Sequence, residues 1–338
     1  MTRYISVVIN YTASISLLFI GYAFYSYQSY FRGFFTGDHD FLIFTLSTKD
    51  IFYYYVALNV ILLPFFYLTL PSGYATKSCL FWRAMFHLPW RKPDANEKVA
   101  ILSILVKTFY IPLIILWVFT HTSMILLNIK ELITDGTFFP AGYWGVFNLI
   151  LLVDTICFAI GYTLEHPKLN NEIRSVEPTL LGWMVTLACY PPFNSVTNKM
   201  LGWYSSNYPS ATNPTVQIIL AVFILVLMIL YAWASVALGF KASNLTNRGT
   251  VSTGPYAYVR HPAYAAKNLA WWLGSLPILY SIYVEKSVVE FGFGVLSMAI
   301  WSWIYYMRAE TEERHLRMDP EYVEYANRVH YKFIPKIW

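Results

Sequence analysis

The run TVQIILAVFILVLMILYAWASVALGF, from Thr215 to Phe240, contains no charged residue. As a helix rising ~1.5 Å per residue it would be roughly 39 Å long, more than the ~30 Å hydrocarbon core of a bilayer. It predicts a membrane-spanning helix, and the rest of the chain has the same character. Hydrophobic residues make up 57% of the 338 and charged residues 13%. Mean hydropathy is +0.45. Soluble domains carry roughly 25% charge. The sequence therefore predicts an all-α, polytopic membrane protein, because a transmembrane barrel would show short alternating segments instead.

Working outward from Thr215, the apolar runs suggest about eight spans. Five precede it, near 4–27, 51–70, 99–127, 142–163 and 179–193; two follow, near 266–280 and 287–307. The first, Tyr4 to Tyr27, is longer than a signal-peptide core and is expected to be retained. The fifth is short and stops at Pro191-Pro192. The organisation read from this is an N-terminal bundle over 1–214, of no assigned role, and a C-terminal region over 215–338. The latter ends in an amphipathic tail.

A net charge of +5 could indicate nucleic acid, but the positive residues lie in loops between apolar runs. With a cytoplasmic N-terminus, eighteen of the 24 Lys and Arg fall on the cytoplasmic side. Five fall outside: Arg32, Lys49, Lys130, Lys199 and Lys286. That bias follows the positive-inside rule and puts both termini in the cytoplasm. It also requires the short fifth span. Cys79, Cys157 and Cys189 show no CxxC spacing, which argues against a disulfide framework or a zinc site. Lys107 and Asp154 lie within spans at matching depths, roughly 12 and 14 Å from the cytoplasmic ends. They are expected to pair in a structural role.

Two cytoplasmic stretches carry the chemistry. The polar segment LGFKASNLTNRGTVST, Leu238 to Thr253, leads into GPYAYVRHPAY, Gly254 to Tyr264. Pro255 and Pro262 bias Gly254 and His261 away from helical backbone. Irregular backbone at a membrane survives where it is buried in protein or lines a cavity. The second stretch is RAETEERHLRMDPEYVEYANRVHYKFIP, Arg308 to Pro335. By itself it reads as an amphipathic helix with a solvated charged face.

Together, GPYxYVRHPxY, a two-span hairpin, EExxL, PEYxxY, RV and a final IP resemble the isoprenylcysteine carboxyl methyltransferase and phospholipid methyltransferase superfamily. The resemblance covers about 235–338 and implies S-adenosylmethionine as cofactor. It implies Gly254, Pro255, Tyr256, His261, Tyr264 and Glu312 as cofactor-binding residues, with His261 near the methionine carboxylate. Arg260, Glu313 and Arg328 are the implied catalytic set, Arg328 facing an anionic acceptor. One departure is Ala266, where the family often has glycine. The residue types suit the cofactor, because a sulfonium with a zwitterionic end wants carboxylates, cationic donors and aromatic faces. Direct methyl transfer then depends mainly on alignment.

The expected activity is methyl transfer to a lipophilic acceptor entering from the bilayer. An isoprenylcysteine-like carboxylate is favoured, since it is nucleophilic at neutral pH; a phospholipid amine would need a general base. An NADPH-dependent reductase of the sterol type and a transporter are the rival readings. No internal symmetry supports the transporter. The seven histidines form no clustered ligand set, so no metal is expected.

Overall fold

A computed structural model of the chain describes residues 2–27, 37–136 and 138–337; Arg32 lies outside them. The described chain is 72% helical and divides into two compact units, Met1–Val176 and Glu177–Trp338. Residues 177–214, grouped by sequence with the first bundle, pack in the second unit.

The first unit holds α1 (Arg3–Tyr27), α2 (Thr48–Leu68), α3 (Lys77–His87), α4 (Ala95–Asp135) and α5 (Ala141–Thr163). A short hairpin of β1 (Asp38–Asp40) and β2 (Thr45–Ser47) leads into α2. Capping boxes start α2 (Ser47 with Asp50) and α4 (Asp94 with Glu97). Each satisfies two backbone donors that a helix start leaves open. Glu97 is fully buried and accepts from Arg83 Nε at 2.8 Å and Arg91 Nη1 at 2.7 Å. At 41 residues α4 is about 60 Å long, twice the hydrocarbon thickness, so part of it stands clear of the bilayer. It packs along α5, with Tyr110 and Tyr162 stacked at 5.1 Å. Lys107 Nζ lies 2.8 Å from Glu165 Oε2, a carboxylate just past the end of α5 that the sequence reading did not weigh. Asp154 is buried on α5.

The second unit holds α6 (Leu180–Leu187), α7 (Phe193–Leu201), α8 (Pro214–Leu238), α9 (Pro262–Glu285), α10 (Val288–Leu316) and α11 (Pro320–Arg328). Among the described residues six helices are long and apolar enough to cross a membrane: α1, α2, α4, α5, α8 and α10. The chain is an integral membrane protein. The seventh expected span corresponds to α9, which is long enough at 24 residues. Lys267, Asn268, Gly274, Ser275 and Pro277 dilute its apolar content.

The fifth expected span is not one helix. The eight-residue α6 reaches only about 12 Å before the turn at Pro191-Pro192, and α7 follows. Glu177 N donates to Leu245 O at 2.8 Å, so the segment starts at the end of the unit where α8 finishes. It must then travel the length of α8 to reach Pro214. The middle of that path is irregular and is held by bonds to α9 and α10. Gly202 O accepts from Ser297 Oγ at 2.9 Å and Trp301 Nε1 at 3.4 Å. Ser205 Oγ donates to Trp271 O at 2.7 Å, and Ser206 N donates to Gly274 O at 3.3 Å. Gly274 permits this approach, since a Cβ there would sit 2.0 Å from Ser206 O. These bonds give part of this non-helical backbone the partners that lipid would not supply.

Candidate active site

The site is assembled by the turn between α8 and α9 and by the chain from the end of α10 onward. Gly254 opens the turn with φ +61°, the left-handed region glycine adopts without penalty. Its missing Cβ would lie 3.1 Å from Ala237 Cβ. Pro255 is buried in the single 3₁₀ turn Gly254–Ala257. His261 has φ −127° and ψ 59°, and α9 begins at Pro262. Proline suits a first helical position, having no N–H to leave unsatisfied.

This turn is stitched to the tail. Arg260 N donates to Tyr331 O at 3.0 Å, and His261 N to Lys332 O at 2.9 Å. Arg260 Nη1 reaches Val329 O at 2.8 Å and His330 O at 2.7 Å. Its Nε donates to Glu313 Oε1 at 2.8 Å, and Nη2 reaches Oε2 at 3.4 Å. His261 Nε2 lies 3.1 Å from the same Oε1. Lys332 and Arg317 add charge at 3.7 and 3.5 Å from Glu313 Oε2. Buried Glu313 is thus held by four basic side chains, and Arg260 has donors committed on three nitrogens. Charge-assisted bonds of this kind are about twice as strong as neutral ones.

Below the clamp, Tyr322, Tyr325, Ala326 and Val329 form an apolar cluster with Tyr256 and Leu316 against it. Tyr325 Oη donates to Tyr256 O at 2.8 Å. Asn247 Nδ2 donates to Asp319 Oδ2 at 2.9 Å, and Asp319 also caps α11. Burial and the nearby Glu313 push the Tyr322 and Tyr325 hydroxyls well above the ordinary tyrosine range. Both stay neutral, so Tyr325 remains a donor.

A second group lies alongside. Tyr264 stacks on His261 at 5.3 Å and donates to Glu312 Oε2 at 2.7 Å. Arg308 lies 4.9 Å from the Tyr264 ring centroid, with Tyr190 and Tyr305 at 5.4 and 5.6 Å. A guanidinium over aromatic faces is attracted by their quadrupoles. Ala266 is fully buried in α9. Trp271 packs edge-on against Trp203 and Tyr305, and Trp272 Nε1 donates to Ser302 Oγ at 3.0 Å.

The structure therefore brings together Gly254, Pro255, Tyr256, Arg260, His261, Tyr264, Glu312 and Glu313. Arg328 stands apart, exposed at the end of α11 with no partner among the described residues. Sequence reasoning missed Arg308 and its hydrogen-bond partners Tyr190 and Asn244. Arg308 had been counted only as tail charge, although its four-residue spacing from Glu312 puts both on one helical face. Among the described residues no group of His, Cys, Asp or Glu could hold a metal ion.

Among curated proteins no relative matches the chain. Residues 215–318, which carry α8, the RHP turn, α9 and the twin glutamates, match the profile of the Isoprenylcysteine carboxyl methyltransferase (ICMT) family, the family that the motifs of this region resemble.

Proposed function

We propose that the chain transfers a methyl group from S-adenosylmethionine to a lipophilic acceptor, with the site on the cytoplasmic face. The observation that carries this reading is the joining of the RHP turn to the tail through Glu313. Two segments 52 residues apart meet there, with Tyr264 and Glu312 beside them. The residues present fit the cofactor: a buried cation at Arg308, a carboxylate at Glu312 and the faces of Tyr190, Tyr264 and Tyr305. They supply the opposite charges and the aromatic surface that a zwitterionic sulfonium needs.

When bound, the cofactor supplies a methyl group already activated on a positive sulfur. The protein's part is position and field. Arg260, His261 and Glu313 hold the tail across the turn, which limits water at the site. Tyr264 fixes one oxygen of Glu312. Arg260 is committed to this clamp, so Arg328, whose donors are free, is the better candidate to meet an anionic acceptor. That is consistent with an isoprenylcysteine-like carboxylate, which needs no general base. The eight-crossing topology, with residues 180–213 as a broken fifth crossing, keeps the turn and tail on the side rich in Lys and Arg.

Calorimetry of the purified protein with S-adenosylmethionine, followed by mass spectrometry of products, tests the reading. Cofactor binding and a gain of one methyl on a prenylated carboxylate are expected. Affinity for NADPH with none for S-adenosylmethionine would overturn it. Methylation of a phospholipid amine would keep the enzyme class and change the acceptor.

A further inference from the structure

The first unit has a cavity of its own. Its α1 packs on α2 and its α4 along α5, while α2 and α4 make little contact. Between the two pairs lies a cleft of about 820 Å³, near the top of the roughly 300–1,000 Å³ range of ligand pockets. On α2 its lining runs from Lys49 to Tyr67, about 27 Å of helix and close to the ~30 Å hydrocarbon thickness of a bilayer. A space this long and this apolar suits an extended chain lying along the helices.

Gly21 shows that the protein itself leaves this space open. It sits inside α1 and lines the cleft, and a Cβ added there would meet nothing within 4 Å. Glycine in a helix interior costs about 1 kcal/mol relative to alanine, and no neighbour among the described residues requires it here. Wall atoms with nothing opposite them also forfeit their dispersion contacts. An occupant from outside the chain restores those contacts.

The polar groups of the wall decide which occupant. Lys107 Nζ is matched by Glu165 Oε2 at 2.8 Å, and Lys49 is exposed at one end beside Asp50. Tyr25 Oη donates to Thr108 O at 2.6 Å, and Tyr67 Oη to Ser14 Oγ at 2.6 Å. Tyr22 lines the cleft too, and its hydroxyl, a donor and an acceptor, has no partner among the described residues. An ionised headgroup drawn inside would lose its hydration without gaining a counter-ion, at a cost of several kcal/mol. An uncharged hydroxyl loses far less and can bond to the phenol.

We propose that this cleft binds one uncharged, long-chain lipid alcohol, its chain along α2 and its hydroxyl at Tyr22. All the lining residues precede Leu164, so the site does not depend on the methyltransferase reading.

The full-length protein in phosphatidylcholine nanodiscs is irradiated with a twenty-carbon isoprenoid alcohol carrying a diazirine, and labelled peptides are mapped by mass spectrometry. Label is expected on α1, α2 and α4 at the cleft. The unlabelled alcohol should compete about 10-fold better than the phosphate of the same chain, which brings an unmatched charge. Gly21→Phe should cut labelling about 10-fold, because its ring enters the open space, and nothing there obstructs folding. Should it fail to fold, Gly21→Leu is the second variant. Tyr22→Phe should weaken competition by the alcohol about 5-fold, the scale of one hydrogen bond, and leave competition by the matching hydrocarbon unchanged.

Label spread evenly over lipid-facing helices would overturn the site, as would Gly21 variants that label like wild type. Equal or better competition by the phosphate would overturn the uncharged class. Label confined to α8, α9 and α10 would mark the methyl acceptor's path and overturn the cleft. Cleft labelling in a protein that transfers no methyl group would support the lipid site while refuting the enzyme reading.

Discussion

Each unit sets a cation in the wall of a cavity, and the two cations are treated in opposite ways. In the first unit Lys107 borders a cleft of about 820 Å³, lined largely by apolar and aromatic groups such as Leu17, Tyr22, Phe52, Tyr55 and Ile104. Its ammonium is matched by Glu165 at 2.8 Å. In the second unit Arg308 borders a cavity of about 30 Å³ and has no carboxylate partner among the described residues. The two spaces suit different occupants. The wall of the larger is matched in charge and suits an uncharged lipid, whereas a buried charge without its opposite has a cost that folding does not recover. The contrast says where to look for charged ligand chemistry, and substitutions on either side can break it or sharpen it.

The largest effect is expected at Glu313. Removing its carboxylate leaves Arg260 and His261 buried without their shared anion, the situation in which a broken buried pair costs about 3–5 kcal/mol. Glu313→Ala should release the tail beyond Arg328, speed proteolysis there and abolish turnover. A variant with the wild-type digestion pattern would show that Tyr325 and the apolar cluster hold the tail without the clamp.

Gly274→Ala comes next. The new methyl would lie 2.0 Å from Ser206 O, a backbone atom that cannot move without its neighbours. Overpacking typically costs about 1–3 kcal/mol, and this contact belongs at the upper end. A clear drop in apparent melting temperature is expected; an unchanged one would mean that the irregular segment is not lodged against α9.

How much of this was legible beforehand follows the range of the interactions. Pro255 and Pro262 act on the residue before them, so the non-helical backbone at Gly254 and His261 could be read directly. The clamp was readable only as a pattern, since nothing local at Arg260 says it will meet Glu313. The broken path through residues 202–206 was half visible. Pro191-Pro192 announced a stop, but support for the chain beyond it comes from Trp271, Ser297 and Trp301, far off in sequence. Glu165 was passed over because it falls just outside an apolar run. Arg308 was passed over because it was counted only with the charges of the tail, and nothing beside it in sequence announces Tyr190 or Asn244.

Lys107→Met tests the other side of the comparison. It removes the cation but leaves Glu165 Oε1 accepting from Ile173 N at 3.0 Å, so the carboxylate is not stranded. The pair is partly exposed, which lowers its worth, and a loss of about 1–2 kcal/mol is expected. Turnover and cofactor affinity should not change. Lost turnover with a normal melting temperature would make the large cleft a participant in the reaction and collapse the distinction between the two cations.

The smallest effect is expected from Tyr325→Phe. It removes only the bond to Tyr256 O, keeps the ring in its cluster with Tyr322, and should cost about 1 kcal/mol. Because burial and Glu313 hold that hydroxyl above the ordinary tyrosine range, the bond persists throughout the neutral and mildly alkaline range. Ionisation would turn the donor into an anion facing a carbonyl, so the wild type should lose this contribution only in strong alkali. The Phe variant should therefore melt below wild type by a constant interval from pH 6 to pH 9. An interval that narrows within that range would mean the hydroxyl titrates at a lower pH than its burial implies, and that the tail leaves the turn more readily than the clamp suggests.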